Sequence, residues 1–185
     1  SSEGASQPPL KVFKLQGDTI YTAIKSVTEK EGKVPLYSQN RIIILGKSIT
    51  EKNMDDVIDF FVRDVENSSS VCIAAAEKTA GEILEAKNGE EYISAGNIET
   101  AISSSEYDGQ IFRMQLYDPI NRYNSSTKDF AIPLLSVIEK DKEKSVEIIG
   151  TALFNNTEYR EKISKDETVF LNVLYNRLNN SALSY

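Results

Sequence analysis

The chain has 185 residues, of which 40% are hydrophobic and 26% are charged, a composition that is typical of one globular domain or of two small ones. Its formal net charge is −7, and its lysines lie next to acids, which argues against nucleic acid as a partner. Histidine is absent and Cys72 is the single cysteine. A Ser-His-Asp or Cys-His catalytic arrangement is therefore excluded, a zinc site is disfavoured, and no cofactor is expected.

The first part of the chain predicts a leader followed by a strand and a helix. Residues 1–9 are small and polar with two prolines, which is typical of a flexible leader. We see no signal peptide, no lipidation motif and no apolar run near the ~18 residues that cross a bilayer. Residues 10–15, LKVFKL, predict a strand. The helix after it has Asp18 or Thr19 as a candidate N-cap and Gly32 as its end.

Two apolar runs with a helix between them predict a parallel crossover unit. Residues 41–46, RIIILG, form a short β-branched run that favours a central strand covered on both faces. Residues 70–76, SVCIAAA, predict the second strand and make Cys72 a small buried hydrophobe. Between them Thr50 is the predicted N-cap of a helix. Its buried stripe has the spacing i, i+3, i+4, i+7, i+8 and consists of Met54, Val57, Ile58, Phe61 and Val62.

Helix caps define the next elements of the chain. The capping box TAGE at residues 79–82 predicts a helix with Ile83 and Leu84 inward, and Ser94 predicts the N-cap of another helix. Residues 112–123 are weakly helical.

The last elements are a β-hairpin and a helix. Runs at 129–139 and 145–154 predict two strands joined by a short charged turn, hence an antiparallel hairpin. Pro133 places the first of them at an edge or at a bulge. SKDE at 164–167 is a further capping box. The helix that it starts carries three apolar residues on one face: Phe170, Leu174 and Leu178.

Together these elements predict an α+β fold with mixed parallel and antiparallel sheets packed with helices. We expect two small subdomains after the leader. The first, residues 10–110, contains the strand–helix–strand crossover. The second, residues 111–185, contains the β-hairpin and the C-terminal helix.

The stretch DFFVRDVE at residues 59–66 is the strongest candidate for a functional motif. Asp59 and Arg63 are spaced i, i+4 in the favourable orientation, and they face away from the apolar stripe. Phe60 lies on the flank of that stripe and needs a second cover. Asp64 and Glu66 come at the helix end, where the helix dipole makes acidic residues mildly unfavourable, so they need a partner.

Two interpretations of this motif remain open. The five residues Asp59, Phe60, Arg63, Asp64 and Glu66 either tie down a helix terminus through local ion pairs or form a docking corner for another protein. Catalysis is disfavoured, because no base, nucleophile or metal-ligand set accompanies the motif. A further alternative is a small-ligand-binding module, which requires a well-formed pocket with converging polar groups.

The order of three segments resembles the N-terminal region of the Ger(x)C family. The first segment, GDTIYTAIKSV, begins at Gly17. The second contains RIIILG followed by DFFVRDVE, with Val65 where the family typically has proline. The third contains GTALF, beginning at Gly150, and then the helix with Glu167. The resemblance extends over residues 10–178 but is poor between 89 and 130.

The resemblance implies a role in spore germination. Members of this family are the C subunits of spore germinant receptors in endospore-forming bacteria. The family implies a lipoprotein, anchored by an N-terminal lipid that is absent from this sequence, on the outer face of the inner spore membrane. It also implies assembly and signalling with two integral membrane subunits, A and B, and no enzymatic activity. Direct sensing of a germinant is the alternative role.

Overall fold

The computed structural model describes most of the chain, namely residues 12–32, 40–52, 54–63, 70–88, 91–123, 129–141 and 143–177. The leader predicted for residues 1–9 lies outside these ranges, as do Asp64, Glu66 and Leu178. The helices are α1 (Ile20–Glu31), α2 (Lys47–Lys52), α3 (Met54–Arg63), α4 (Ala80–Leu84), α5 (Ala95–Tyr107), α6 (Tyr117–Tyr123) and α7 (Lys165–Leu174). The strands are β1 (Ile42–Leu45), β2 (Cys72–Ala76), β3 (Lys87–Asn88), β4 (Glu91–Tyr92), β5 (Phe130–Lys140), β6 (Glu143–Asn155) and β7 (Glu158–Ile163).

Five strands form one mixed sheet in the order β1-β2-β5-β6-β7, while β3 and β4 form a small separate sheet. β1 and β2 are parallel, as the crossover predicts, and β5 is parallel to β2. β6 pairs antiparallel with both β5 and β7. The predicted α+β class with a mixed sheet is confirmed. The sheet itself crosses residue 110, because β2 pairs with β5. The division into units of residues 10–110 and 111–185 stays a prediction.

The core lies on both faces of the sheet because side chains alternate along each strand. In β2, Ile73 and Ala75 belong to the apolar cluster that also contains the buried face of α3. Cys72 and Ala74 belong to the opposite cluster, which contains Ile102 of α5. Cys72 is 2% exposed, so the predicted role of a small buried hydrophobe is confirmed, and burial raises the pKa of its thiol to about 11.

Three local predictions for the first half are wrong. β1 lies at an edge of the described sheet and is only half-buried before Leu45, because it pairs with β2 alone. The described part of the predicted strand at 10–15 carries no strand, since a short run of alternating apolar residues also fits extended loop. Thr50 lies inside α2, not at a cap, and its hydroxyl donates to the carbonyl of Lys47 at 2.9 Å.

The second half follows its predicted caps and hairpin, with a difference at Leu84. Thr79, Ser94 and Ser164 are N-caps, as their sequence contexts indicate. Leu84, however, is exposed, because the five-residue α4 packs through Ile83. Pro133 does not lie on an edge strand but stands next to a register shift between β5 and β6, so its predicted association with a bulge is confirmed.

The strand β7 was not expected from the sequence. It follows β6 through a two-residue turn in which Asn156 and Thr157 both have positive φ, 50° and 66°. Such a turn matches the twist of a hairpin but usually carries glycine, so its Asn-Thr sequence gives a weak signal. The hydroxyl of Thr157 donates to Oδ1 of Asp55 at 2.6 Å, which ties the turn to the start of α3.

Candidate docking surface

The helix α3 carries the described part of the DFFVRDVE motif, Asp59 to Arg63, and buries the apolar residues on its opposite side. Met54, Val57 and Ile58 are at most 2% exposed, so these three residues of the predicted stripe pack into the core. On the outer side Nε of Arg63 donates to the two carboxylate oxygens of Asp59 at 2.9 and 2.8 Å. The Arg63 side chain remains 77% exposed and that of Asp59 50%. An exposed pair of this kind contributes only about 0.2–0.5 kcal/mol to folding.

The two phenylalanines of the motif have the different roles that the sequence predicts. Phe61 is partly buried and packs against the core cluster that contains α3. Phe60 is half-buried, and its ring meets that of Phe61 edge to face with a centroid distance of 5.0 Å. Phe61 therefore supplies part of the cover that Phe60 needs.

The structure brings together only three members of the predicted motif. Asp59, Phe60 and Arg63 form one corner at the C-terminal end of α3, which we call the α3 corner. Asp64 and Glu66 fall outside the described residues, so their role in that corner stays a prediction.

Several other residues that carry the family resemblance have a clear structural role. A side-chain carbon at Gly17 would collide with the backbone nitrogen of Ala23, so only glycine fits against the first turn of α1. Gly150 has φ +150°, and a side-chain carbon there would collide with the carbonyl oxygen of Ile163. Thr19 is the N-cap of α1, and Glu167 completes the capping box of α7. These positions are therefore explained by packing and capping.

The resemblance residues Thr151 and Phe154 are also explained by the fold. Thr151 is fully buried, and its hydroxyl lies 2.9 Å from that of Thr168. Phe154 stacks on Phe130 with a centroid distance of 4.6 Å. Packing and capping do not account for the exposed Asp59–Arg63 pair, which makes it the more informative candidate for function.

A second polar cluster, at the end of β2, ties distant strands together. Glu77 accepts hydrogen bonds from Nζ of Lys162 and from the hydroxyl of Ser136, each at 2.9 Å. The hydrogen bond from Lys162, followed by that from Ser136, lowers the pKa of the Glu77 carboxyl below 4.5. The same contact raises the pKa of Lys162 above 10.5. We interpret this cluster of Glu77, Ser136 and Lys162, which we call the clamp at Glu77, as a structural link between β2, β5 and β7.

We also searched the described residues for a metal-binding group and for a membrane-spanning helix. Within the described ranges, no group of three or more Asp, Glu, Cys or His side chains is arranged to hold a metal ion. Among the helices that the structure describes, none combines the length and the apolar character that crossing a bilayer requires. The part of the chain in view is thus an α+β domain that presents an ion-paired helix corner to its surroundings.

Comparison with known proteins identifies the family of this domain. Residues 1–137 match the family described as the spore germination protein N-terminal domain. The chain is 21% identical over 169 residues to the spore germination protein GerQC of Bacillus cereus, a match that covers 91% of this chain and 46% of GerQC. A crystal structure of the GerBC protein aligns with a TM-score of 0.47 and 18% identity, covering 82% of this chain and 42% of GerBC.

The chain belongs to the Ger(x)C family. That family is the C subunit of spore germinant receptors, and its members are not known enzymes. The expected family membership is therefore confirmed. The chain spans less than half the length of these two relatives.

Proposed function

We propose that this domain is the N-terminal part of a receptor C subunit and acts in assembly and signalling, not in catalysis. It works with the two membrane subunits, A and B, in nutrient-induced germination. Membership of the Ger(x)C family supports this role. In the full-length protein an N-terminal lipid anchors it at the outer face of the inner spore membrane. Since one acyl chain gives only marginal membrane affinity, contacts with the partner subunits contribute to its retention.

The α3 corner is the proposed contact with a partner subunit. The observation that carries this assignment is the 77% exposure of Arg63, because the resemblance residues in α1, β6 and α7 described above have structural roles instead. Its ion pair with Asp59 orients the guanidinium without adding much stability. An exposed arginine beside a half-buried aromatic ring is the type of group that dominates many protein–protein interfaces.

The test is germination by spores that carry Arg63→Glu in the full-length protein. We expect the free energy of unfolding to change by less than about 0.5 kcal/mol, because the residue is exposed. Germination with nutrients should fall about tenfold or more, since reversing a charge inside an interface opposes docking. Normal germination by these spores would contradict the docking role.

Two control variants separate docking from local helix stability. Arg41→Glu removes another exposed ion pair, between Arg41 and Glu99 at 3.1 Å, and should leave germination unchanged. The double variant Asp59→Arg, Arg63→Glu restores opposite charges on α3 with the order reversed. If the pair only stabilises the helix, the double variant should germinate normally. If Arg63 meets a partner, the germination defect should persist.

A further inference from the structure

The inward side of α7 carries two buried polar residues beside the partly buried Leu171. Thr168 and Asn172 are at most 3% exposed. Nδ2 of Asn172 donates to the carbonyl oxygens of Gly109 and Ile111, each at 2.8 Å. These bonds satisfy carbonyl groups that would otherwise be buried without a donor. The polar side of α7 is therefore specifically bonded to the chain that follows α5.

The opposite side of α7 is apolar and faces solvent. Phe170, Val173 and Leu174 are 65%, 46% and 82% exposed. Their spacing, i, i+3, i+4, puts them on one side of the helix, and we call this group the α7 outer face. Its exposed area is on the order of 350 Å², given that a whole aromatic side chain covers roughly 150–250 Å². Contiguous apolar surface of this kind marks interaction sites.

The helix cannot turn this face inward without losing contacts at its C-terminal end. Tyr175 meets the ring of Phe112 edge to face with a centroid distance of 5.4 Å. The guanidinium of Arg177 lies 4.5 Å from the same ring, and its Nη1 donates to the carbonyl of Arg113 at 2.9 Å. A rotated helix would bury the outer face only by breaking these contacts and the two bonds of Asn172. The outward orientation of the α7 outer face is thus fixed by the fold.

The size of the α7 outer face distinguishes between possible occupants. A stable complex of separate molecules buries about 800 Å² on each partner, because association costs translational and rotational freedom. The α7 outer face provides roughly half of that area, too little for a second copy of this domain to bind through it alone. A covalently tethered domain does not lose that freedom again, and its effective concentration reaches the millimolar range.

The lengths of the relatives point to such a tethered domain. The match to GerQC covers 46% of that protein, and the matched family is described as an N-terminal domain. α7 is the last helix that the structure describes. A domain that follows in the same polypeptide is therefore connected through the segment after the C-terminal end of α7.

We propose that the domain that follows α7 in the full-length protein packs on the α7 outer face. The partner surface is an apolar patch that takes up Phe170 and Leu174. The inference rests on family membership but not on the docking role of Arg63, and its test does not use germination. The two proposals can therefore fail independently.

The test is the rate of maleimide labelling of Leu174→Cys in two forms of the protein, residues 1–185 and the full-length gene product. Cys72 is 2% exposed and its thiol pKa is raised to about 11, so it reacts slowly in both forms. We expect Leu174→Cys to label at least about tenfold more slowly in the full-length protein. Tyr21→Cys, on the exposed side of α1, should label equally fast in both forms.

Three results would overturn the proposal. Equal labelling rates for Leu174→Cys in the two forms would show that the following domain does not cover α7. Slow labelling in residues 1–185 that becomes fast on dilution would show that a second copy covers it. A natural gene product that ends within a few residues of Tyr185 would remove the occupant. Since the cysteine replaces an exposed residue, both forms should remain folded, which thermal unfolding checks.

Discussion

The helices α3 and α7 are both amphipathic, yet they pack in opposite ways. α3 buries its apolar side, with Ile58 only 2% exposed, whereas α7 exposes its apolar side, with Leu174 82% exposed. The inward side of α7 carries the buried polar residues Thr168 and Asn172 beside the partly buried Leu171. A helical period in the sequence therefore identifies the apolar face of a helix. It does not indicate whether that face packs into the core of the same domain or is left exposed.

Because the two helices pack in opposite ways, replacing an apolar residue by alanine should affect the free energy of unfolding very differently in each. This is the largest effect that we predict. Ile58→Ala should lower the free energy of unfolding by about 3 kcal/mol, because it removes buried methyl groups and leaves a cavity. Leu174→Ala in residues 1–185 should change it by less than about 0.5 kcal/mol, because the side chain is already in water. Urea unfolding of the two variants measures both values. A cost for Leu174→Ala similar to that of Ile58→Ala would contradict the orientation of α7.

The polar side of α7 provides the second prediction. Asn172→Leu should cost about 2 kcal/mol despite a gain in apolar surface, because the buried carbonyls of Gly109 and Ile111 lose their donor. Val173→Ala, on the next residue of the same helix, should change the free energy of unfolding by less than about 0.5 kcal/mol. Equilibrium unfolding in urea distinguishes them. If Asn172→Leu were neutral, the inverted packing of α7 would not depend on these hydrogen bonds.

The smallest predicted effect concerns pH and the clamp that holds β7, the strand before α7. The pKa of Glu77 is lowered in the folded state by Lys162 and Ser136, so the folded protein holds its proton less tightly than the unfolded chain. The stabilisation from this group is complete above about pH 4.5 and is lost as the pH falls through the lowered pKa. Its size should be below about 1 kcal/mol, because the Lys162 side chain is 57% exposed and that of Glu77 35%, which screens the pair.

Glu77→Gln is the variant that isolates this contribution. It should be slightly less stable than the unmodified protein at pH 7, and this difference should shrink towards pH 3 as the natural carboxyl takes up a proton. Thermal unfolding at both pH values gives the difference. Glu139→Gln is the control: Glu139 is 61% exposed and its carboxylate lies 4.0 Å from Nζ of Lys144, so this variant should be as stable as the unmodified protein at pH 7. A difference at pH 7 that persists unchanged at pH 3 would contradict the role of the charged clamp.

Local signals in the sequence gave reliable predictions wherever neighbouring residues decide the structure. The capping residues Thr79 and Ser164 start their helices as expected, because a side-chain oxygen bonds to a backbone N–H three residues away. The hairpin of β5 and β6 is predicted by two apolar runs and a short charged turn. Family motifs recognised in order also gave the correct family, and the succession of predicted strands and helices gave the mixed sheet.

Predictions failed where the local structure depends on a residue or strand that is distant in the sequence. The run at β1 indicates a central strand, but a strand becomes central only when a neighbour pairs on each side, and a strand's own residues do not encode that. The strand β7 was missed because the turn before it lacks the glycine that usually marks a hairpin. Thr157 has positive φ in that turn and bonds to Asp55, a residue far away in the sequence. For the α3 corner, the sequence predicted the Asp59–Arg63 pair, and only the structure showed how exposed it is.

By itself the sequence determined the helix caps, the apolar period of each helix, the parallel crossover and the family, since all of these depend on residues that are near one another or on their order. The tertiary structure decided the strand order, the clamp at Glu77 and the side on which α7 packs. Those features arise from contacts between residues far apart in the chain, such as Asn172 with Gly109. Their free energies depend on which groups become buried together, and that is settled only when the whole domain folds.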